Sequence, residues 1–252
     1  MTTDSRGLLV REATVEGHYL LTMAGLLDSS TYRTVRDRVI KAAIDQPDSV
    51  IIDITELTAP ASSAWSVFTS ARWHLTTWPE VPVALVCGHE RGRHVLARNG
   101  ITRYVAVYDS VAAAVKAIPR TPHPGRRRVL QQLSAEHASI KAARGFVTEW
   151  LTTWSQGEFV AAAGVVVTEL VDNALRHADG APALRLESDG ETVTVAVQDS
   201  SSAMPARQEH STGEMAPTGL AMVAAVSRVW GMTPLPDDKI VWAVIGTENR
   251  LS

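Results

Sequence analysis

The stretch TELVDNALRHA, residues Thr168 to Ala178, brings several hydrogen-bonding side chains into an otherwise apolar helix that we expect to begin near Glu158. Glu169, Asn173 and His177 recur every four residues along one border of the apolar arc that a helix turning about 100° per residue would form. The arc itself consists of Val166, Val167, Leu170, Val171, Ala174, Leu175 and Ala178. The spacing predicts a polar row at the rim of a buried face, which either lines a pocket or only solvates the helix edge.

Two other segments in the same half of the chain favour the pocket. VQDSSSAMP, residues 197–205, ends a strand at Asp199 and continues in small polar residues. EMAPTGLAMV, residues 214–223, opens a helix near Gly219, and the backbone N–H groups at a helix start suit phosphate oxygens. The elements expected in this half are a strand at 128–133, a helix at 135–154 capped by Ser134, strands at 183–187 and 192–198, a helix at 219–230 and a hairpin of 232–235 with 240–245.

Residues from about Val129 to Ile245 resemble the anti-sigma-factor serine kinase branch of the Bergerat-fold, or HATPase, ATP-binding domains. TELVDNALRHA is similar to the N box of that family, and QDSSSAMP to its first nucleotide-contact box. PTGLAMVAAVSRVWG is similar to the second box and DKIVWAVI to the closing strand. The resemblance implies an α+β two-layer sandwich that binds ATP and Mg²⁺ and, if active, is a protein-serine/threonine kinase.

The resemblance also implies roles for the matched residues. Asn173 would hold Mg²⁺ through its side-chain oxygen, and Glu169 would be the catalytic base that accepts the proton of an attacking serine hydroxyl. Asp199 would accept a hydrogen bond from the exocyclic amine of adenine. The remaining implied nucleotide-binding residues are His177, Ser201, Gly219 and Leu220. For His177, a helix-terminal histidine satisfied by nearby carbonyls is an equal alternative.

Two departures from the family pattern leave the activity open. Pro217 stands where the family has a glycine, which removes one N–H donor and restricts φ. Ile240 stands where the closing strand carries a threonine that organises the adenine end. Each lost hydrogen bond to a buried polar group costs roughly 1–3 kcal/mol. An active kinase and a catalytically silent protein-binding scaffold with a degenerate ATP site are therefore both hypotheses for this half.

The first half alternates strand and helix patterns from Leu8 to Ile118, which predicts a mainly parallel α/β sheet after a hairpin-like start. Residues 24–68 resemble the STAS domain of anti-anti-sigma factors, in the Leu-Asp after the second strand, the strand ending in Asp53 and the Ser-Ser pair opening the next helix. The resemblance implies that Ser62 is a phosphorylation site, and a helix cap is the alternative. The tryptophans expected to pack in the core are Trp65, Trp73 and Trp78.

Composition bounds the organisation and setting of the chain. Its 252 residues suggest two domains, and the proline-rich stretch IPRTPHPGRRR places a STAS-like domain at 1–118, a linker at 119–128 and the ATP-binding domain at 129–252. The single cysteine excludes an internal disulfide, and a net charge of -3 argues against direct nucleic-acid binding. The longest near-continuous apolar run is too short for a membrane span. We expect a cytoplasmic regulator whose partner is a sigma factor or a STAS-domain protein, and a homodimer because the related kinases often pair.

Overall fold

The computed structural model describes residues 2–3, 7–76, 78–118, 126–177, 180–200, 219–235 and 238–249. The chain divides into two compact units, Met1–Pro122 and His123–Ser252, each with its own sheet. The division falls inside the proline-rich stretch, between Pro122 and His123. The first strand of the second unit already begins at Arg127, so the last two residues of the predicted linker belong to a sheet.

The first unit is an α/β structure. Its elements are β1 Thr2–Thr3, β2 Leu9–Val15, β3 His18–Leu26, α1 Tyr32–Ile44, β4 Val50–Thr58, α2 Ser66–His74, β5 Val83–Val86, α3 Glu90–Arg98, β6 Ala106–Tyr108 and α4 Val111–Ala117. In the described residues the sheet order is β1-β2-β3-β4-β5-β6, with antiparallel pairing up to β3 and parallel pairing from β3 onward. The predicted α/β fold of this half is confirmed.

The core of this unit is built around the central strand β4 and several aromatic side chains. Val50, Ile51 and Ile52 are fully buried, because β-branched residues on a parallel strand are covered on both faces. Trp65 and Phe68 stack with ring centroids 6.3 Å apart beside this core. Trp78 is also buried, whereas Trp73 on α2 is 67% exposed. The packing role predicted for Trp73 is therefore wrong, because its place on α2 turns the ring toward solvent.

The second unit is a two-layer α+β structure. Its elements are β7 Arg127–Gln132, α5 Ser139–Thr153, α6 Val160–His177, β8 Ala183–Ser188, β9 Val193–Asp199, α7 Gly219–Val226, β10 Val229–Pro234 and β11 Lys239–Ile245. The strand order is β10-β11-β9-β8-β7, and every described pair is antiparallel. The three helices described in this unit pack on one face of the sheet through a shared core that includes Val147, Val166, Leu170, Val195, Val223 and Val241.

Two helix boundaries of the second unit differ from the prediction. α5 begins at Ser139 rather than Ala135, because the Ser134 hydroxyl lies 2.8 Å from the Ser139 hydroxyl and does not cap a helix start. α7 ends at Val226, and Trp230, expected in the helix, lies in β10 opposite Ala243. Within the described residues, none of the helices combines the length and apolar character needed to span a bilayer.

Candidate functional site

The polar row of α6 runs from a partly buried to an exposed position. Glu169 and Asn173 are partly buried, whereas His177, the last residue of the helix, is exposed. On the solvent side of α6, Arg176 Nε lies 2.8 Å from Asp172 Oδ2. The helix itself packs against α5, α7, β9 and β11.

The amide of Asn173 contains a buried donor. Its Nδ2 atom is inaccessible to solvent and makes no hydrogen bond to the part of the chain that the structure describes. Burying an amide group in this way costs roughly 1–3 kcal/mol, so a helix whose only task is packing gains nothing from it. An asparagine side chain offers an oxygen acceptor and a nitrogen donor, which fits a site that holds a hard cation beside an anion.

Glu169 lies against the start of α7. A Cβ atom built on Gly219 would overlap Glu169 Oε2, so the absence of a side chain at Gly219 permits the approach of the two groups. Burial raises the pKa of Glu169 above its ordinary value, the nearby Asp172 carboxylate raises it further, and Arg176 opposes both effects. A carboxylate whose pKa is raised is a stronger base, which suits proton abstraction.

Asp199 ends β9 on the face that carries the helices. Its side chain is buried, and its Oδ1 lies 3.6 Å from Nζ of Lys239, which is also buried. Lys239 stands directly opposite Asp199 in the β9–β11 ladder. Sequence reasoning did not identify Lys239 as a residue of this site.

Side chains of β11 alternate between the two faces of the sheet, and this decides which of its residues lies beside Asp199. Val241 packs with the helices, so Lys239 shares its face and Ile240 lies on the opposite face, across from Gln198 and Thr233. Ile240, which the sequence aligns with the family's threonine, therefore lies on the face of the sheet away from Asp199. The residue of β11 beside Asp199 is Lys239. Residues on both faces of β11 are buried, so the sequence KIVWAVI shows no alternation that would have indicated which face Lys239 joins.

A groove of about 320 Å³ opens between α5, α6 and α7 and reaches Glu169. Its lining includes Arg144 and Thr148 from α5, Thr168 from α6 and Met222 from α7. Glu169 is therefore one of the residues that border this groove.

Of the other residues predicted to bind nucleotide, the structure describes only some. Leu220 is partly buried and packs against the core next to Gly219. Ser201 lies outside the described residues, and so does Pro217, which stands where the family has a glycine. Glu169 and Gly219 come together at the α6–α7 junction, Asn173 follows Glu169 one turn later on α6, and His177 ends the row in solvent.

Ser62 is the first residue of a 3-10 helix, Ser62–Trp65, in the first unit. The N-cap of this helix is Ala61, so Ser62 does not occupy the capping position. Ser62 is exposed, and the buried Trp65 anchors the other end of the same turn. The arrangement presents the Ser62 hydroxyl at the surface at the entrance to α2.

A family model described as the STAS domain matches residues 11–114 of the chain. An anti-sigma factor antagonist from Mycobacterium paratuberculosis is 14% identical, with a TM-score of 0.40, over 46% of this chain and 98% of its own. The Bacillus cell fate determinant SpoIIAA in its phosphorylated form is 16% identical, with a TM-score of 0.33, over 44% of this chain and 100% of its own. The RsbU and RsbW domains of Rv1364c from Mycobacterium tuberculosis are 19% identical, with a TM-score of 0.35, over 50% of this chain and 33% of their own.

A search of the curated proteins gives no match to this chain. The family match covers nearly all of the α/β sheet and its helices, from β2 to α4. The first unit therefore contains a STAS domain, and the resemblance noted for this half of the sequence is confirmed.

Proposed function

We propose that this chain is a partner-switching regulator in which a STAS domain is joined to an ATP–Mg²⁺-binding unit that phosphorylates a serine of a STAS-domain protein. The observation that carries the proposal is the junction of α6 and α7, where Glu169 adjoins Gly219 and Asn173 holds a buried amide donor one turn away. The STAS match in the first unit supports a signalling role of this kind.

In this proposal the nucleotide is bound by groups from three elements. Asn173 would hold Mg²⁺ through Oδ1, and its Nδ2 would donate to a phosphate oxygen, which would give the buried donor a partner. The backbone N–H groups at Gly219 and Leu220 meet the phosphates, because the start of a helix attracts anions. Asp199 accepts a hydrogen bond from the exocyclic amine of adenine at the end of β9.

Glu169 performs the chemistry as a general base. Its carboxylate takes the proton of the serine hydroxyl, the serine oxygen bonds to the γ-phosphorus, and the bond from that phosphorus to the β–γ bridging oxygen breaks. The bonding electron pair leaves with ADP. Bound Mg²⁺ supplies neutralisation of the negative charge on the phosphates. The groove between α5 and α6 admits the acceptor serine to Glu169.

Ser62 marks the corresponding acceptor position on the STAS domain of this chain. A phosphate on Ser62 would add about 1.5 to 2 negative charges at an exposed turn beside α2. Added charge of that size disfavours binding to a surface that accepted the neutral serine. Phosphorylation would thus exchange one partner for another, the partners being sigma-factor regulators or a sigma factor itself.

Calorimetric titration and phosphate transfer test the proposal together. The wild-type chain is expected to bind ATP with Mg²⁺ and to transfer labelled phosphate to a STAS protein, or to its own Ser62. Asn173→Ala should lose Mg²⁺-dependent binding, whereas Glu169→Gln should keep binding and lose transfer. Tight ATP binding without transfer to any STAS acceptor would overturn the kinase activity and support a protein-binding scaffold. Absence of ATP binding would overturn the proposed nucleotide site as well.

A further inference from the structure

Lys239 brings a positive charge to the base end of the proposed nucleotide site. It stands across from Asp199 in the β9–β11 ladder, and its Nζ lies 3.6 Å from Asp199 Oδ1. The two side chains are only 3% and 1% exposed. The proposed adenine contact of Asp199 does not by itself call for a lysine at this place.

A buried lysine beside a buried aspartate has a specific hydrogen-bonding capacity. The ammonium group has three N–H donors and no acceptor, whereas the carboxylate has acceptors alone. Removing two opposite charges from water is costly unless hydrogen bonds accompany their attraction. Side by side on the helix-facing side of the sheet, Lys239 and Asp199 can present one donor next to one acceptor to a ligand.

We infer that Lys239 is a base-contacting residue that donates to the ring nitrogen beside the exocyclic amine of adenine, N1 or N7, while Asp199 accepts from the amine. This inference rests on the proposed function. Adenine matches the pair because its amine is a donor flanked by ring acceptors on both sides. A purine with a carbonyl in place of the amine would turn an acceptor toward the Asp199 carboxylate and bind less tightly.

Calorimetry with ATP, 1-deaza-ATP and 7-deaza-ATP, each with Mg²⁺, tests the contact because each analogue lacks one ring acceptor. One of the two analogues is expected to bind the wild-type chain about 10- to 100-fold more weakly than ATP. Lys239→Met should weaken ATP binding by a similar factor and should no longer distinguish that analogue from ATP. Lys141→Met, at an exposed lysine of α5, serves as the matched control and should behave as the wild type.

The outcomes separate a contacting residue from one that only positions Asp199. If Lys239→Met weakens ATP binding but keeps the full preference for ATP over the analogue, Lys239 acts through Asp199 and the inference is overturned. If the wild-type chain binds ATP and both analogues equally, the inference fails whether or not the variant folds, while the proposed ATP site stands. A wild-type chain that binds no ATP overturns the proposed function as well.

Discussion

The carboxylate of Glu169 lies so close to the backbone of Gly219 that a methyl group on Gly219 would overlap Glu169 Oε2. This contact joins the middle of α6 to the first residue of α7. It places the proposed base next to the backbone N–H groups proposed to bind phosphate. The relationship makes Gly219 a position where a very small substitution should have a large effect.

Gly219→Ala is expected to reduce phosphate transfer, because the Glu169 carboxylate, at the end of a flexible side chain, must turn aside to relieve the overlap. Moving a reacting group by about 1 Å can lower a rate by about 100-fold, whereas the affinity for ATP should change little. Transfer of labelled phosphate measures the rate, and titration with ATP and Mg²⁺ measures the affinity. Unchanged transfer in the variant would contradict the contact.

The control for Gly219→Ala is Gly145→Ala in α5. A Cβ built on Gly145 meets nothing within 4 Å, so only helix propensity changes. Alanine is favoured over glycine in a helix by about 0.8–1 kcal/mol, and the free energy of unfolding should rise accordingly while ATP binding stays the same.

The pKa of Glu169 can be shifted in opposite directions by its two charged neighbours. Asp172 raises that pKa and Arg176 lowers it. Asp172→Asn should therefore move the acid limb of the transfer rate to lower pH, and Arg176→Gln should move it to higher pH. The measurement is the pH profile of phosphate transfer for the three proteins. A shift of both variants in the same direction would rule out Glu169 as the group that titrates.

Stability gives a test of the same carboxyl group without any activity assay. Because the pKa of Glu169 is higher in the folded than in the unfolded chain, the folded state loses stability as pH rises from the unfolded pKa through the folded pKa. Glu169→Gln removes this ionisation, so its unfolding free energy relative to the wild type should increase over that pH range and level off above it. Urea unfolding at several pH values provides the comparison.

Two aromatic residues of α2 should respond very differently to truncation. Phe68 is fully buried and stacks with Trp65, so Phe68→Ala is expected to lower the unfolding free energy of the first unit by about 3–5 kcal/mol. Trp73 is 67% exposed, and Trp73→Ala should change that free energy by less than about 0.5 kcal/mol. Urea unfolding followed by circular dichroism measures both. A large destabilisation by Trp73→Ala would show that its ring is packed.

The strand and helix order and the polar row of α6 could be predicted because they depend on periodicities that extend over many residues. The face of β11 could not be predicted as safely, since strand side chains alternate and a shift of one residue exchanges the two faces. The sequence aligned Ile240 with the family's threonine, whereas the structure places the neighbouring residue Lys239 opposite Asp199. The predicted start of α5 was wrong because serine is a common helix cap, whereas the hydroxyl of Ser134 lies within hydrogen-bond distance of the Ser139 hydroxyl.

Substitution of Asn173 should change the unfolding free energy and the ATP affinity in opposite directions. Its buried Nδ2 makes no hydrogen bond within the described part of the chain, so Asn173→Leu is expected to raise the unfolding free energy of the nucleotide-free protein, by up to about 1–3 kcal/mol. The same variant should lose Mg²⁺-dependent ATP binding.

The matched control is Thr168→Val on the same helix, where the hydroxyl donates to the Gly164 carbonyl at 2.7 Å. Loss of that bond should not stabilise the protein. If Asn173→Leu unfolds more readily than the wild type without ligand, the amide is a structural group, and its buried donor no longer supports a nucleotide site.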